Sequence, residues 1–483
     1  MVTTADTRSA PAGSTLDLAD VQGNILRGYR KARVRHLVTC VTNAAQARAW
    51  FAAASATDDT RQPRITHGGD WEEHPPEACF NVGLTATGLR ALGVADAVVR
   101  SFPTPWVLGM AARADIIGDW GTSAPAHWKA HFRDPGAVHL VVTLHADTEA
   151  LLDAWERAVM ALPGGEGLRI VGRDDGHRFD GDRVHFGYRD SIAQPRFEHV
   201  THPGKLDDQP KAPLGAVLLG YDTGLEEVRW SLPEPGVLGF NGAFNAYRVL
   251  EQDVGAFEDF LDRGADELLA SPSADELLPA GSEARFGAGA TRRSAMREVV
   301  AAKLLGRWRN GTPLELSPSD PSPEPAVPLN NFDYVDDVAG LRCPFGSHIR
   351  RANPRSGKIV QRVSNHTRRL VRRGFPYGPP YDPARPDGIE RGLLGNFLCA
   401  NLESQFESVY YDWLNLGLLD PRLTGSNDPL LGANEPDASW FTLPTRKGPI
   451  TLRGFPRLVR TRGGAYTFLP GTNALRWIGA YRG

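Results

Sequence analysis

The sequence predicts sheets covered by helices, an α+β or α/β protein made of two similar halves, and three observations predict it. Short apolar strands alternate with amphipathic helices, the same strand, capping residue and helix recur, and one recurrence lies beyond residue 210. Periodicity does not fix strand order, so it does not choose between the two classes. At 483 residues, with 41% hydrophobic and 23% charged, the chain is long enough for two or more domains and a sizeable core.

The elements follow in order. Residues 1–16 contain no basic segment, apolar run or twin arginine and are expected to be a flexible lead-in. RHLVTCVT reads as a strand, Asn43 as its helix cap and AAQARAWFAAA as the helix; ACFNVGLT running into ATGLRAL repeats the unit. The clearest copy is AVHLVVTLHAD followed by TEALLDAWERAVMALPGG. Apolar and β-branched residues fill 137–145, Asp147 or Thr148 caps, and Leu151, Leu152, Trp155 and Val159 recur at helical spacing until Pro163, Gly164 and Gly165 stop the helix. THPGKLDDQPKAPLG (201–215) reads as a linker.

The unit then returns as FNAYRVLEQ, Asp253 and VGAFEDFLD, with Val254, Phe257, Phe260 and Leu261 on one face. SPSADELLPAGSEARFGAGATRRS and LSPSDPSPEPAVPLNN are rich in Pro, Ser and Gly and are expected to be surface excursions. Between them SAMREVVAAKLLGRWRNG predicts a core helix capped by Ser294, with Met296, Val299, Val300 and Leu304 inward.

Several function classes are excluded. A net charge of −3 and a pI near 6.5 give no basic field for nucleic acid or anionic membranes. No run approaches the ~20 apolar residues of a spanning helix. Cys40, Cys79, Cys343 and Cys399 stand singly, which argues against a zinc ribbon or disulfide framework and for a reducing compartment, the cytoplasm.

Three segments carry chemistry. In GYRDSIAQP a lone acid, Asp190, stands between Arg189 and Ser191. In CPFGSHIRRANPR (343–355), His348 follows a tight turn and precedes Arg350, Arg351 and Arg355, a pattern suited to ligating a metal or haem iron with arginines at hand for an anion. The alternative is a hydrogen-bonding loop histidine. In TRRLVRRGFPYGPPY (367–381) four arginines flank a turn; most are expected to be solvated, and one directed inward would need a polar reactant.

Together these segments closely resemble the dye-decolourising peroxidases, haem enzymes that use hydrogen peroxide. Phe186 through Pro195 match the family's distal Gly-x-x-Asp-Gly motif, 343–355 match its proximal histidine motif, and Arg372, four residues before Pro376, matches its distal arginine, with Arg373 next in register. LADVQGNILRGY, CFNVGLTATGLRALG, LGMAARADIIGDWG, FNGAFNAYRVLEQDVGAFEDFL and GLLGNFLCANLESQFE extend the likeness from about residue 17 to 483. The resemblance implies an α+β fold of two ferredoxin-like halves with antiparallel sheets, an N-terminal unit over 17–205 carrying the distal loop and a C-terminal haem unit over 206–483. It further implies haem b on His348, with Glu403, then Glu407, as the carboxylate behind that histidine. Asp190 would move the peroxide proton, Arg372 would supply positive charge, and Arg351, Ile192, Gln194, Phe397 and Leu398 would line the cofactor site. Peroxide would oxidise the iron to a ferryl intermediate, and phenolic, dye-like or metal-ion donors would return it.

One departure stands out: the family's final glycine is Ser191, whose side chain either tolerates the loop at some strain or alters it. It motivates an alternative, a haem enzyme of small-molecule biosynthesis. A haem storage or sensing protein is the third reading, disfavoured because binding alone needs neither Asp190 nor Arg372. His177 and His185 are candidates for a proton relay. His199 and His202 have metal-like spacing without supporting ligands.

Overall fold

A computed structural model describes residues 16–56, 63–71, 76–200, 211–225, 228–359 and 365–482. Residues 1–15 of the expected lead-in at 1–16 and the boundary expected at 205/206 lie outside the described residues.

The recurring unit is real, and it specifies the sheet. β1 (Arg33–Val41), β2 (Cys79–Leu84), β3 (Leu140–Ala146) and β4 (Leu168–His177) pair antiparallel in the order β4-β1-β3-β2. β5 (Ala243–Gln252), β6 (Val371–Tyr377), β7 (Gly392–Cys399) and β10 (Val459–Leu469) repeat that order as β10-β5-β7-β6, and β2 meets β10 through Leu84 and Phe468. The fold is therefore α+β: two ferredoxin-like halves joined into one eight-stranded antiparallel sheet. Its two ends, β4 and β6, pack against each other without pairing, which curves the sheet toward a barrel. Gly176 permits that seam, because a Cβ there would lie 2.8 Å from the Phe375 Cβ and 3.0 Å from the Pro376 carbonyl oxygen. β8 (Trp440–Leu443) and β9 (Ile450–Arg453) form a separate hairpin.

The caps sit where the sequence puts them at three helices. Asn43, Thr148 and Asp253 accept from Gln46, Leu151 and Ala256 N–H at the starts of Ala44–Ala54, Glu149–Met160 and Val254–Leu269. The fourth differs. Arg292–Leu305 begins two residues before Ser294, with Thr291 as cap and Ser294 as its reciprocal partner, because the pair satisfies two N–H groups where Ser294 alone would satisfy one. The expected linker also ends early: Ala212 and Leu214 are buried beside Val21 and Phe197. Trp50, Phe51, Trp106, Trp128 and Phe132 are fully buried in the largest core, each worth roughly 2–3 kcal/mol of apolar burial. No described helix is long and apolar enough to cross a membrane.

Candidate active site

His348 opens a five-residue helix, His348–Ala352, whose position is set from behind. Ser347, fully buried, donates its hydroxyl to the Lys303 carbonyl at 2.5 Å, and Lys303 Nζ reaches the Arg342 carbonyl at 2.7 Å. The long helix Arg292–Leu305 is thus fastened to the turn that presents the histidine. Gly306, at φ +97°, ends that helix against Ile349; a Cβ would come within 2.5 Å of the Ile349 side chain.

The carboxylate behind His348 is Asp428, whose Oδ2 lies 3.0 Å from Nδ1 and whose side chain is fully buried. Its other oxygen accepts from Leu430 and Leu431 N–H at 3.0 and 2.8 Å. Burial alone would raise this acid, but the facing His348, the nearby Arg351 and the Leu431 N–H outweigh it and hold the carboxyl below the usual range. Glu403 and Glu407 are not that partner. Residues Leu402–Glu407 and Val409–Asn415 wind with the wide π pitch, which leaves Glu403 exposed and carries Glu407 to Arg113 and the Tyr466 hydroxyl, each at 2.9 Å. Nothing in short-range spacing links position 428 to 348. Its signal is the Asn-Asp-Pro sequence, an acid able to hydrogen-bond its own turn.

The lone acid of the GYRDSIAQP motif is built from the other half. Phe186 packs on Phe257 with ring centroids 4.4 Å apart, Tyr188 donates to the Ala301 carbonyl at 2.7 Å, and Arg189 N–H to the Arg309 carbonyl at 2.9 Å. The first half's loop is thereby docked on helices of the second. Asp190 itself is exposed, held through its backbone by Asp182, and its carboxylate makes no hydrogen bond to the described residues. Ser191 adopts φ +60°, a left-handed conformation that costs a non-glycine residue roughly 1–2 kcal/mol. The loop therefore keeps the shape glycine would favour. Gln194 and Ala193 tie it to Arg372: Gln194 Nε2 donates to the Arg372 carbonyl at 2.8 Å, Arg372 N–H to Gln194 Oε1 at 3.2 Å, and the Arg372 guanidinium to the Ala193 carbonyl at 2.7 Å. Arg373, next along β6, donates to the Asn24 and Ile25 carbonyls.

These pieces converge on one cavity of about 350 Å³, lined by His348, Asp190, Ser191, Ile192, Gln194 and Arg372 together with Leu305, Phe397, Phe406, Tyr410 and Leu430. Two expected lining residues are elsewhere. Leu398 follows Phe397 on a strand and so points to the opposite face, fully buried beside Val371 and Leu469. Arg351 is 1% exposed and donates to the Gly346, Trp413 and Ser426 carbonyls, so it braces the Asp428 segment. Arg307 and Arg355 line the cavity instead, Arg355 fixed by Asn330 and Phe332 carbonyls at 3.0 and 2.8 Å. His185 donates to the Tyr377 carbonyl at 2.8 Å and is pushed down to about 4 by burial; neither it nor His177 lines the cavity. His199 is exposed, His202 lies outside the described residues, and among those described no group of three or more His, Cys, Asp or Glu could hold a metal ion.

The cavity fits a haem on its own chemistry. His348 Nδ1 is engaged by Asp428, while Nε2 has no hydrogen-bond partner among the described residues and remains reachable, the side chain being 20% exposed. The walls are mostly apolar, yet eight arginines (189, 196, 307, 355, 368, 369, 372 and 373) line them against one carboxylate, Asp190. The buried Tyr334 hydroxyl there also has no partner among the described residues. Such a slot suits a flat apolar group bearing carboxylates.

Residues 20–171 match the family model of the DyP dimeric alpha+beta barrel domain. The chain is 27% identical to dye-decolorizing peroxidase msp1 of Mycetinis scorodonius, over 97% of this chain and 89% of that one. It is 28% identical to the multifunctional dye peroxidase DyP2 of an Amycolatopsis species, over 98% of each. Over nearly its full length the chain is similar to dye-decolorizing peroxidases. A solved dye-decolorizing peroxidase in complex with 2,6-dimethoxyphenol superposes with a TM-score of 0.78 at 27% identity, covering 96% of this chain and 100% of that one. Similarity over nearly the whole chain to proteins named as dye-decolorizing peroxidases supports an oxidoreductase of the haem-peroxidase type.

Proposed function

We propose that His348 holds haem b in this cavity, that Asp190 moves the proton of hydrogen peroxide and that Arg372 stabilises its charge, with phenols and dyes as reductants. The single observation that carries the reading is the convergence of a histidine with a reachable Nε2, one carboxylate and a loop-anchored arginine on a mostly apolar cavity that holds no other acid among the described residues. A bound haem supplies a redox-active iron that is oxidised by peroxide and reduced by the donor. With Nδ1–H donated to Asp428, Nε2 keeps the lone pair needed for ligation, and the charged partner makes it a stronger donor. Arg307 and Arg355 would receive the propionates. Ile192 and Phe397 would pack on the ring.

Asp190 takes the proton from one peroxide oxygen and returns it to the other, which leaves as water. Arg372 offers fixed positive charge to the oxygen on which negative charge grows. The donor class follows the relatives, which are named for dyes, and the neighbour in complex with 2,6-dimethoxyphenol. Unpaired Cys40, Cys79, Cys343 and Cys399 support the cytoplasm as compartment, and the repeat supports units over about 17–205 and 206–483. The test is Asp190→Asn in the haem-loaded enzyme. Haem stays bound while peroxide consumption falls by roughly two to three orders of magnitude, as for loss of other preorganised polar groups. Unchanged consumption would move the proton role to another group.

A further inference from the structure

We propose that Gln194 is a positioning residue that makes Asp190 and Arg372 one unit by completing the unpaired edge of β6; the inference rests on the roles just given to those two residues. β6 is the last strand of the ladder, so one side of its backbone has no strand to bond with. At Arg372 that side is met by a side chain. Gln194 donates through Nε2 to the Arg372 carbonyl at 2.8 Å and accepts the Arg372 N–H through Oε1 at 3.2 Å, the paired donor and acceptor a neighbouring strand residue would present.

The reach of this contact matters. Gln194 stands 178 residues from Arg372 in sequence and only a short turn from Asp190, so it links a loop of the first half to a strand of the second at the point where the two reacting side chains originate. The Arg372 guanidinium closes the unit by donating to the Ala193 carbonyl at 2.7 Å. Between Asp190 and Gln194 the chain turns through Ser191 at φ +60°, a conformation serine leaves readily when nothing holds it. The side-chain amide opposes that relaxation. It fixes the height of Asp190 over the cavity and the direction of Arg372 together, so loss of the amide should act on the peroxide step and not on the donor step.

The experiment compares wild type, Gln194→Ala, Gln194→Glu and Asp190→Asn. In haem-free protein, hydrogen exchange is expected to rise at residues 188–194 and at the Arg372 amide in both Gln194 variants, with the midpoint of thermal unfolding little changed. In haem-loaded protein, kcat/KM for peroxide is expected to fall at least tenfold and its acid limb to shift, with KM for the phenolic donor unchanged. The carboxylate introduced by Gln194→Glu keeps the size and one accepting oxygen but presents a second oxygen to the Arg372 carbonyl, so a Gln194→Glu enzyme with wild-type exchange and rates would overturn the paired-amide role. Raised exchange with normal peroxide kcat/KM would overturn it too. Should Asp190→Asn alone be fully active, the failure belongs to the proton role of Asp190; should Asp190→Asn be slow and Gln194→Ala normal, it belongs to the clamp.

Discussion

Asp428 shows best what one residue contributes and what a sequence hides. His348, Asp190 and Arg372 are legible because each stands in a short motif whose neighbours shape its own turn. Asp428 is 80 residues from His348, and its role exists only once Arg351, drawing on the Trp413 and Ser426 carbonyls, folds that segment behind the histidine. The expected role of Arg351 fails for the same reason: its sequence position adjoins the site, but its side chain runs away from the cavity. Asp428→Asn keeps the shape and removes the charge, leaving a weaker acceptor for Nδ1–H. Haem affinity of the apoprotein is expected to fall about 10–100-fold, as for other groups behind a metal-bound histidine, and the iron's reduction potential to rise. Haem titration and potentiometry read both. Wild-type affinity and potential in Asp428→Asn would show that the carboxylate only orients the ring.

At the scale of elements, period and caps carry the sequence furthest. Strand, cap and helix recur so regularly that Asn43 and Asp253 are assigned correctly and Thr148 is one of the two candidates named for its helix. Two readings fail through local geometry. Leu398 is apolar and adjacent to Phe397, but a strand sends neighbours to opposite faces, so only one of the pair reaches the cavity. Glu403, then Glu407, fail as the carboxylate behind His348 because the chain after Asn401 takes a π winding, without a simple signature in composition, that turns both away and places Phe406, Tyr410 and Leu414 on the cavity wall. The corrected cap is testable. Thr291 accepts from the Ser294 N–H at 3.1 Å at the start of the helix that supports Ser347 and ends at Leu305 in the cavity wall. Thr291→Ala is expected to cost about 1 kcal/mol in urea unfolding. Ser294→Ala, which leaves the cap itself in place, should cost less. Equal losses would mean that the two hydroxyls act only as a pair.

At the scale of the whole molecule, the joint between the halves carries buried histidines, and this predicts how the protein responds to acid. His36 of β1 lies against Tyr247 of β5 with ring centroids 4.6 Å apart, His145 of β3 against Phe375 of β6 at 5.6 Å, and His185 donates to the Tyr377 carbonyl at 2.8 Å. Each belongs to the first half and touches the second. Burial pushes His36 down to about 4, His145 to about 3 and His185 to about 4. In the unfolded chain they titrate near 6.5. The unfolded state therefore binds more protons between about pH 6.5 and 4, and stability falls as pH falls through that window. Glu315 works the other way, its carboxyl raised by burial to about 7, so it binds its proton first in the folded state. These four groups alone, three imidazoles against one carboxyl, leave a net uptake of about two protons on unfolding near pH 5, a slope of roughly 3 kcal/mol per pH unit; His67, His139 and His177, also lowered by burial, steepen it, and Asp20 and Asp119, raised by burial, oppose it. Denaturant midpoints measured from pH 7 to pH 4.5 should decline with that slope, and His145→Asn, which cannot take up a proton, should reduce it by about one proton. Stability that stays level between pH 7 and pH 5 would show that the buried histidines do not control it, whereas a decline made shallower by His145→Asn would make the seam between the halves a part of the molecule that acid opens.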